Sequence, residues 1–371
     1  MTTSLKVVLT CTALSLAFPT VSGAGQATPR APSNSKWQVE IHGGGIVGGN
    51  QPAGEGIEQF PVGAAIVTGG GGRGGNSSSR AVSSWYFGDG TTVMNSALSF
   101  FGVSTRMSSM DEALRRGAVG SRTGGTVGAR VSRRLTPRLA AEVDITYNPN
   151  AYQLTDESRT ALSATSAAFI PAWQALLATG GTSNRTVTSN LEIDDGNSRQ
   201  TFVSGGLRFD LKRHGSVQPY VSVGGGAVRN SGIGPTAVLT GRYRFDFANI
   251  FPMDESDVVT IRTVTRTTPL VVFGGGAFVG PVPGRGLKID VRIHAGPSGA
   301  DTVVDAKPNV LQLSPAFAIF TGGDPGVQFS NNPSVTARQS SLSATTDGLR
   351  TFTANGWQSR VHLSVGYVFR F

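Results

Sequence analysis

Eight stretches of the 371-residue chain alternate apolar and polar residues with a period of two: 36–48, 124–133, 138–148, 199–212, 217–229, 266–281, 285–297 and 357–371. Successive side chains of a strand point to opposite faces, so each stretch predicts a ribbon with one apolar and one polar side. The connections constrain the fold further. RLTP divides the second stretch from the third, RHGS the fourth from the fifth and VPG the sixth from the seventh, whereas 49–123, 149–198, 230–265 and 298–356 are long. A meander with these lengths has every short turn at one end and every long loop at the other. The expected fold class is all-β: an eight-stranded antiparallel up-and-down transmembrane β-barrel with four long extracellular loops, and with short turns and both termini on the periplasmic side. Ten to sixteen residues per stretch suffice to cross a bilayer at a tilt of about 45°.

The front of the chain fits export. Lys6 precedes the apolar run VVLTCTALSLAF (7–18), and the small residues of PTVSGAGQA (19–27) follow it. Residues 1–27 are expected to be a cleaved secretory signal peptide, leaving 28–371 as the barrel with its loops. Cys11, the single cysteine, would leave with the signal, which excludes disulfides, thiolate metal sites and cysteine nucleophiles from the mature chain. Mean hydropathy is −0.04, but a barrel alternates lipid-facing and lumen-facing residues and gives little signal in any averaged window.

The final stretch, VHLSVGYVFRF (361–371), places Val361, Leu363, Val365, Tyr367, Phe369 and Phe371 on one face. This alternation up to an aromatic residue resembles the terminal signature of bacterial outer-membrane barrels. The resemblance implies that Leu363, Val365, Tyr367, Phe369 and Phe371 form an assembly signal read by the barrel-assembly machinery. VQPYVSVGGGAV (217–228) looks like the strand-opening segment of the small OmpA-like barrel class. The resemblance covers the eight strands, about 105 residues, and none of the loops, and no stretch resembles the peptidoglycan-binding domain of OmpA itself. It implies a location in the bacterial outer membrane, with outer-membrane lipid and lipopolysaccharide as partners. A secreted lipocalin-like barrel would show the same alternation without explaining the four long loops.

The polar faces carry Glu40, His42, Arg130, Glu142, Asp144, Arg208, Asp210, Lys288, Asp290, Arg292, His294, Arg360, His362 and Arg370. An eight-stranded barrel has an interior just wide enough for side chains. Acids and bases interleaved there are expected to pair into a plug, since an unpaired buried charge is costly. His42, His294 and His362 lie on strands that become neighbours when the barrel closes. They are read as separate groups hydrogen-bonded to Glu40, Asp290 and their neighbours, with a three-histidine metal centre as the alternative. Glycine, 50 residues and roughly twice its average share, recurs as GGG at 43–45, 224–226 and 274–276. Within strands it relieves curvature and makes room for long lumen side chains.

Composition narrows the function classes. The net charge is +9, but the basic residues are scattered singly, so a nucleic-acid partner is not expected. The long loops contain no histidine, and His214 falls in a short turn. A rim without that base argues against an enzyme, and no catalytic residue, cofactor or metal is assigned. In the first loop SSWYFGDG and ALSFFGV are expected to pack the loop onto itself or the rim. In the second, 155–181 predicts a helix capped by Thr155 and broken near Pro171. In the third, 236–247 and 257–268 predict a hairpin continuing strands five and six into a taller wall. The expected function is a structural or surface-interaction role in envelope stability or adhesion, through a surface ligand the sequence does not identify. A narrow pore for small polar solutes is the alternative, with a lipid-modifying enzyme behind it.

Overall fold

The computed structural model describes residues 36–48, 65–68, 77–82, 84–110, 114, 118–179, 181–212, 214–247, 249, 251–282, 285–306, 309–313, 327–329, 350–353 and 357–371. The expected signal peptide lies outside them. Eight strands close into an antiparallel barrel: β1 (Trp37–Gly48), β2 (Gly124–Arg134), β3 (Leu139–Asn148), β4 (Arg199–Asp210), β5 (Val217–Ser231), β6 (Thr268–Val282), β7 (Arg285–Pro297) and β8 (Trp357–Arg370). Each strand pairs with its neighbours in sequence, and β1 pairs with β8 to close the ring. Residues Trp37 and Phe371 exchange two backbone hydrogen bonds, of 3.4 and 3.0 Å, and so extend that closing seam to the turn end. All eight sequence stretches are barrel strands, and the long connections leave the end opposite the short turns.

Five neighbouring strands of the wall continue beyond the barrel as one sheet, and Val119–Ser121 and Tyr152–Leu154 pair as a separate ribbon beyond β2 and β3. The strand Thr182–Asp194 leads into β4, Thr236–Phe247 follows β5, Phe251–Thr265 leads into β6, Ala300–Ala306 follows β7 and Arg350–Thr353 leads into β8. These pair in the same order as the barrel strands they extend, and Asn309–Leu313 adds to Phe251–Thr265. The hairpin expected in the third loop is present in this sheet. The wall kinks as it leaves the barrel between β4 and β5, where Gly196 and Gly232 take φ of +66° and +81°. A side chain at Gly196 would also meet the Ile233 carbonyl oxygen at 2.3 Å, so glycine is required there.

The extension is an open sheet backed by helices, not a taller barrel. Helix α1 (Gly88–Phe100) ends where Gly102, at φ +70°, donates to the Ser99 carbonyl while Val103 donates to that of Leu98, a glycine-terminated helix end. Helix α2 (Asp156–Thr179) starts where Thr155 Oγ1 accepts from the Ser158 amide at 3.2 Å, the expected cap. It runs through Pro171 unbroken, against the expectation of a break. Proline removes one helical hydrogen bond, but Phe169, Ala172 and Trp173 on both sides of it are buried in one core and hold the two halves in line. Trp173 stacks on Tyr243 at 3.6 Å and meets Trp85 edge-on at 5.2 Å, while Tyr86 stacks on Phe169. Trp85, Tyr86 and Phe87 of the SSWYFGDG segment and Leu98 of ALSFFGV are thus core residues. Phe100 and Phe101 of the same segment are exposed. This cap has a core of its own, distinct from the clusters inside the barrel.

Glu255 is buried in that cap beneath Tyr243, whose hydroxyl donates to it. Burial, with Asp254 alongside, pushes its carboxyl up to about 7, against the lowering effect of the Tyr243 hydrogen bond. A carboxyl raised above its unfolded value binds more protons folded than unfolded. Stability therefore falls as pH rises from about 4.5 to about 7, by at most on the order of 3 kcal/mol. The cap should show a higher unfolding midpoint at pH 5 than at pH 7.5 by near-ultraviolet circular dichroism of its tryptophans, and Glu255→Gln should flatten that dependence.

Candidate functional site

The barrel is polar inside and apolar outside. Ile41 and Val143 are 58% and 55% exposed, while Arg130 and Lys288 are fully buried. The outer face of each strand continues the pattern, for example Val203, Leu207 and Phe209 on β4 and Ile289, Val291 and Ile293 on β7. The band along β1 from Trp37 to Val47 spans about 23 Å at a rise of about 3.3 Å per residue and a tilt of about 45°, close to the apolar thickness of membrane barrels. Trp37, Tyr367, Phe369 and Phe371 lie toward its turn end and Trp357 at its cap end. Leu363 and Val365, with those three aromatic residues of the expected assembly signal, all face outward. Water-soluble monomers rarely expose an apolar surface this extensive.

The lumen is layered. Toward the turn end Tyr220, Phe278 and Val368 form an apolar floor, with the Arg208, Lys288 and Arg370 cations over the Phe278 ring at 4.9, 5.6 and 5.2 Å. Above it stands the charge network. Arg130 reaches Glu40 at 3.0 Å, Asp144 at 3.1 Å and Asp290 at 2.7 Å. Lys288 bonds Glu40 at 3.0 Å. Arg208 bonds Glu142 and Asp210, both at 2.9 Å, and Arg292 bonds Glu142 and Asp290, both at 2.8 Å. Four bases and four buried acids are thus cross-linked across five strands, with Asp210 at the partly exposed lower edge.

Two glycines make the room. His42 lies between Gly128 of β2 and Gly366 of β8 in the ladder. A Cβ at Gly128 would sit 2.5 Å from the His42 ring, and one at Gly366 would sit 2.5 Å from Glu40 Oε1. The three histidines lie side by side above the network, with ring centroids 6.0 Å apart and edge-on for His42 and His362 and 5.8 Å apart and tilted for His362 and His294. Their hydrogen-bond partners differ from those expected. His42 Nε2 lies 3.0 Å from Asp144 and His362 Nε2 2.7 Å from Thr126, because Arg130, Lys288 and Arg292 already occupy Glu40 and Asp290. Among the described residues no group of three or more His, Cys, Asp or Glu has the geometry to hold a metal ion.

Above the histidines Ile46, Phe202, Val228, Leu270 and Val272 form an apolar cluster inside the barrel, which the reading of polar faces overlooked. The signal was present in part: Ile46 has the strand parity of Glu40 and His42 and Phe202 that of Arg208, while Val228 shares parity with the buried Tyr220, and Leu270 and Val272 with the buried Phe278. Arg360 projects into this layer, where Nη1 donates to Gln200 Oε1 at 2.7 Å and Nη2 to Gln358 Oε1 at 3.2 Å.

No family model matches the chain, and no curated protein sequence matches it. Two solved structures that align with it are monoaromatic hydrocarbon channels. CymD is 8% identical, covering 91% of this chain and 89% of its own, with a TM-score of 0.17. The deltaS2 mutant of TodX is 10% identical, covering 91% of each chain, with a TM-score of 0.19. Alignments at these scores carry no argument about fold or function, which rest on the strand pairing and the lumen described above.

Removing one acid from the network strands several buried cations, whereas a rim acid shares its charge with solvent. Glu142→Leu should destabilise the barrel by about 3–5 kcal/mol and Asp210→Asn by about 1 kcal/mol or less. Urea midpoints for the protein folded into lipid vesicles, read from the gel mobility of unheated samples, measure the difference.

Proposed function

We propose that the chain is a non-enzymatic outer-membrane protein whose closed barrel anchors a folded cap at the cell surface, where the cap supports adhesion or envelope stability. The observation that carries this reading is the filled lumen. Between the aromatic floor and the histidines, the interior is occupied by side chains bonded to one another, with Arg130, Arg208 and Lys288 each no more than 1% exposed. An anchor needs no path through its middle, and a cross-linked plug denies one.

Two further features support it. The cap is a helix-backed sheet with its own core, a rigid platform of the sort on which recognition surfaces are presented. On the outer wall of the barrel, Arg199 and Arg229 lie exposed on adjacent strands at the cap end of the apolar band. That is the level at which lipid phosphates lie, and guanidinium groups bind phosphate well. We therefore take lipopolysaccharide as the lipid partner, the barrel-assembly machinery as the route of insertion, and residues 1–27 as the export signal. The histidines of the chain lie in the lumen or, as His214, in a short turn, away from any rim where hydrolytic chemistry would act.

Planar-bilayer recordings of the purified wild-type protein should show no stable conductance steps. Regular steps would favour the narrow-pore alternative. In parallel, cells displaying a chain in which the cap segment 156–194 is replaced by a short linker should lose surface binding or resistance to detergent, while the barrel still inserts and keeps its heat-dependent gel mobility. Retention of both phenotypes would sink the surface role.

A further inference from the structure

The cap-end chamber of the lumen has a chemistry unlike the plug below it. A small unfilled space, with room for about one or two water-sized groups and partly open to solvent, lies among Phe202, Val228, Leu270, His294, Gln358 and Arg360, and Tyr152 and Gln200 also line it. None of the described residues lining this space is an acid. The four cations of the plug are each paired with carboxylates. Arg360, 7% exposed, has only the neutral side-chain oxygens of Gln200 and Gln358 as acceptors among the described residues, and it lies over the Tyr152 and Phe202 rings at 5.9 and 6.0 Å. Two more polar groups there lack partners. Gln358 Nε2 and both ring nitrogens of His294 are buried without a hydrogen bond, each residue being 5% exposed.

A buried guanidinium without a counter-charge, beside an unused amide donor and an unused imidazole, is a set of donors converging on one space. Burial of such a charge is costly unless an anion shares the site. The apolar wall of Phe202, Val228 and Leu270 bounds the volume, and the plug beneath closes its lower side. The chamber is therefore a dead end that holds a ligand without passing it on.

We propose that this chamber binds a small monovalent anion, of chloride to acetate size, held by Arg360 and Gln358 Nε2 with His294 donating through one ring nitrogen. The site goes beyond the surface role and does not depend on what the cap contacts.

Chloride-35 nuclear magnetic resonance of the full chain in detergent tests it, because exchange at a protein site broadens the free-ion line. The wild-type protein should broaden the line, acetate should reverse the broadening by competition, and gluconate, too large for the chamber, should leave it unchanged. Arg360→Gln should remove most of the effect while retaining heat-dependent gel mobility. Gln358→Leu, which alters no charge, should weaken it several-fold and carries the comparison if Arg360→Gln does not fold. The proposal is overturned by broadening that survives in a folded Arg360→Gln or Gln358→Leu protein, or by reversal with gluconate as complete as with acetate. Absence of any excess width in the wild-type protein overturns it too, and leaves the chamber to water.

Discussion

Eight strands enclose an interior just wide enough for side chains to fill, and most of this structure follows from that limit. Side chains that alternate inward must fill the interior themselves, and if they carry charge they must neutralise one another at contact distance. Arg130, which reaches Glu40, Asp144 and Asp290 from one strand, shows how far the constraint is met. The same limit explains glycine at inward positions such as 128 and 366, where any side chain would collide with His42 or Glu40. Outside, closure of the sheet leaves no unpaired edge, so the wall can turn an apolar face to hydrocarbon without exposing backbone amides.

Beyond the barrel the constraint relaxes and the architecture changes. Five strands carry on past the rim as one sheet, and Val119–Ser121 and Tyr152–Leu154 pair as a separate ribbon above β2 and β3; among the described residues the larger sheet does not close, and it must be covered. Helices α1 and α2 cover it, burying Trp85, Tyr86, Phe169 and Trp173 against Leu239, Tyr243 and Ile261. One chain thus joins two solutions of opposite polarity: a wall polar inside and apolar outside, and a cap apolar inside and polar outside.

The barrel was legible because period two is a local property. A strand with alternating residues in a closed sheet has only two faces to offer, and the alternation of three short with four long connections fixed the order and direction of all eight. The inward charges could be named by parity alone. Parity did not reveal pairing: His42 goes to Asp144 and not to Glu40, because Arg130 and Lys288 compete for Glu40 from other strands. The same blindness hid the inward apolar layer of Phe202, Val228 and Leu270, which looks from sequence like a break in the pattern. The unbroken helix through Pro171 was misread for a related reason, since local propensity counts the lost hydrogen bond but not the buried aromatic residues that outweigh it.

By itself the sequence determined the strands, their direction, which charged side chains face the lumen and that the long segments gather at one end, because each depends on chain spacing and on two-fold alternation. Only the tertiary structure decided which acid meets which base, that five strands continue as one sheet into a helix-backed cap, and that Arg360 has no carboxylate partner among the described residues. Those outcomes depend on the register between strands far apart in sequence and on competition among several groups for one partner, and neither is written in any local stretch of residues.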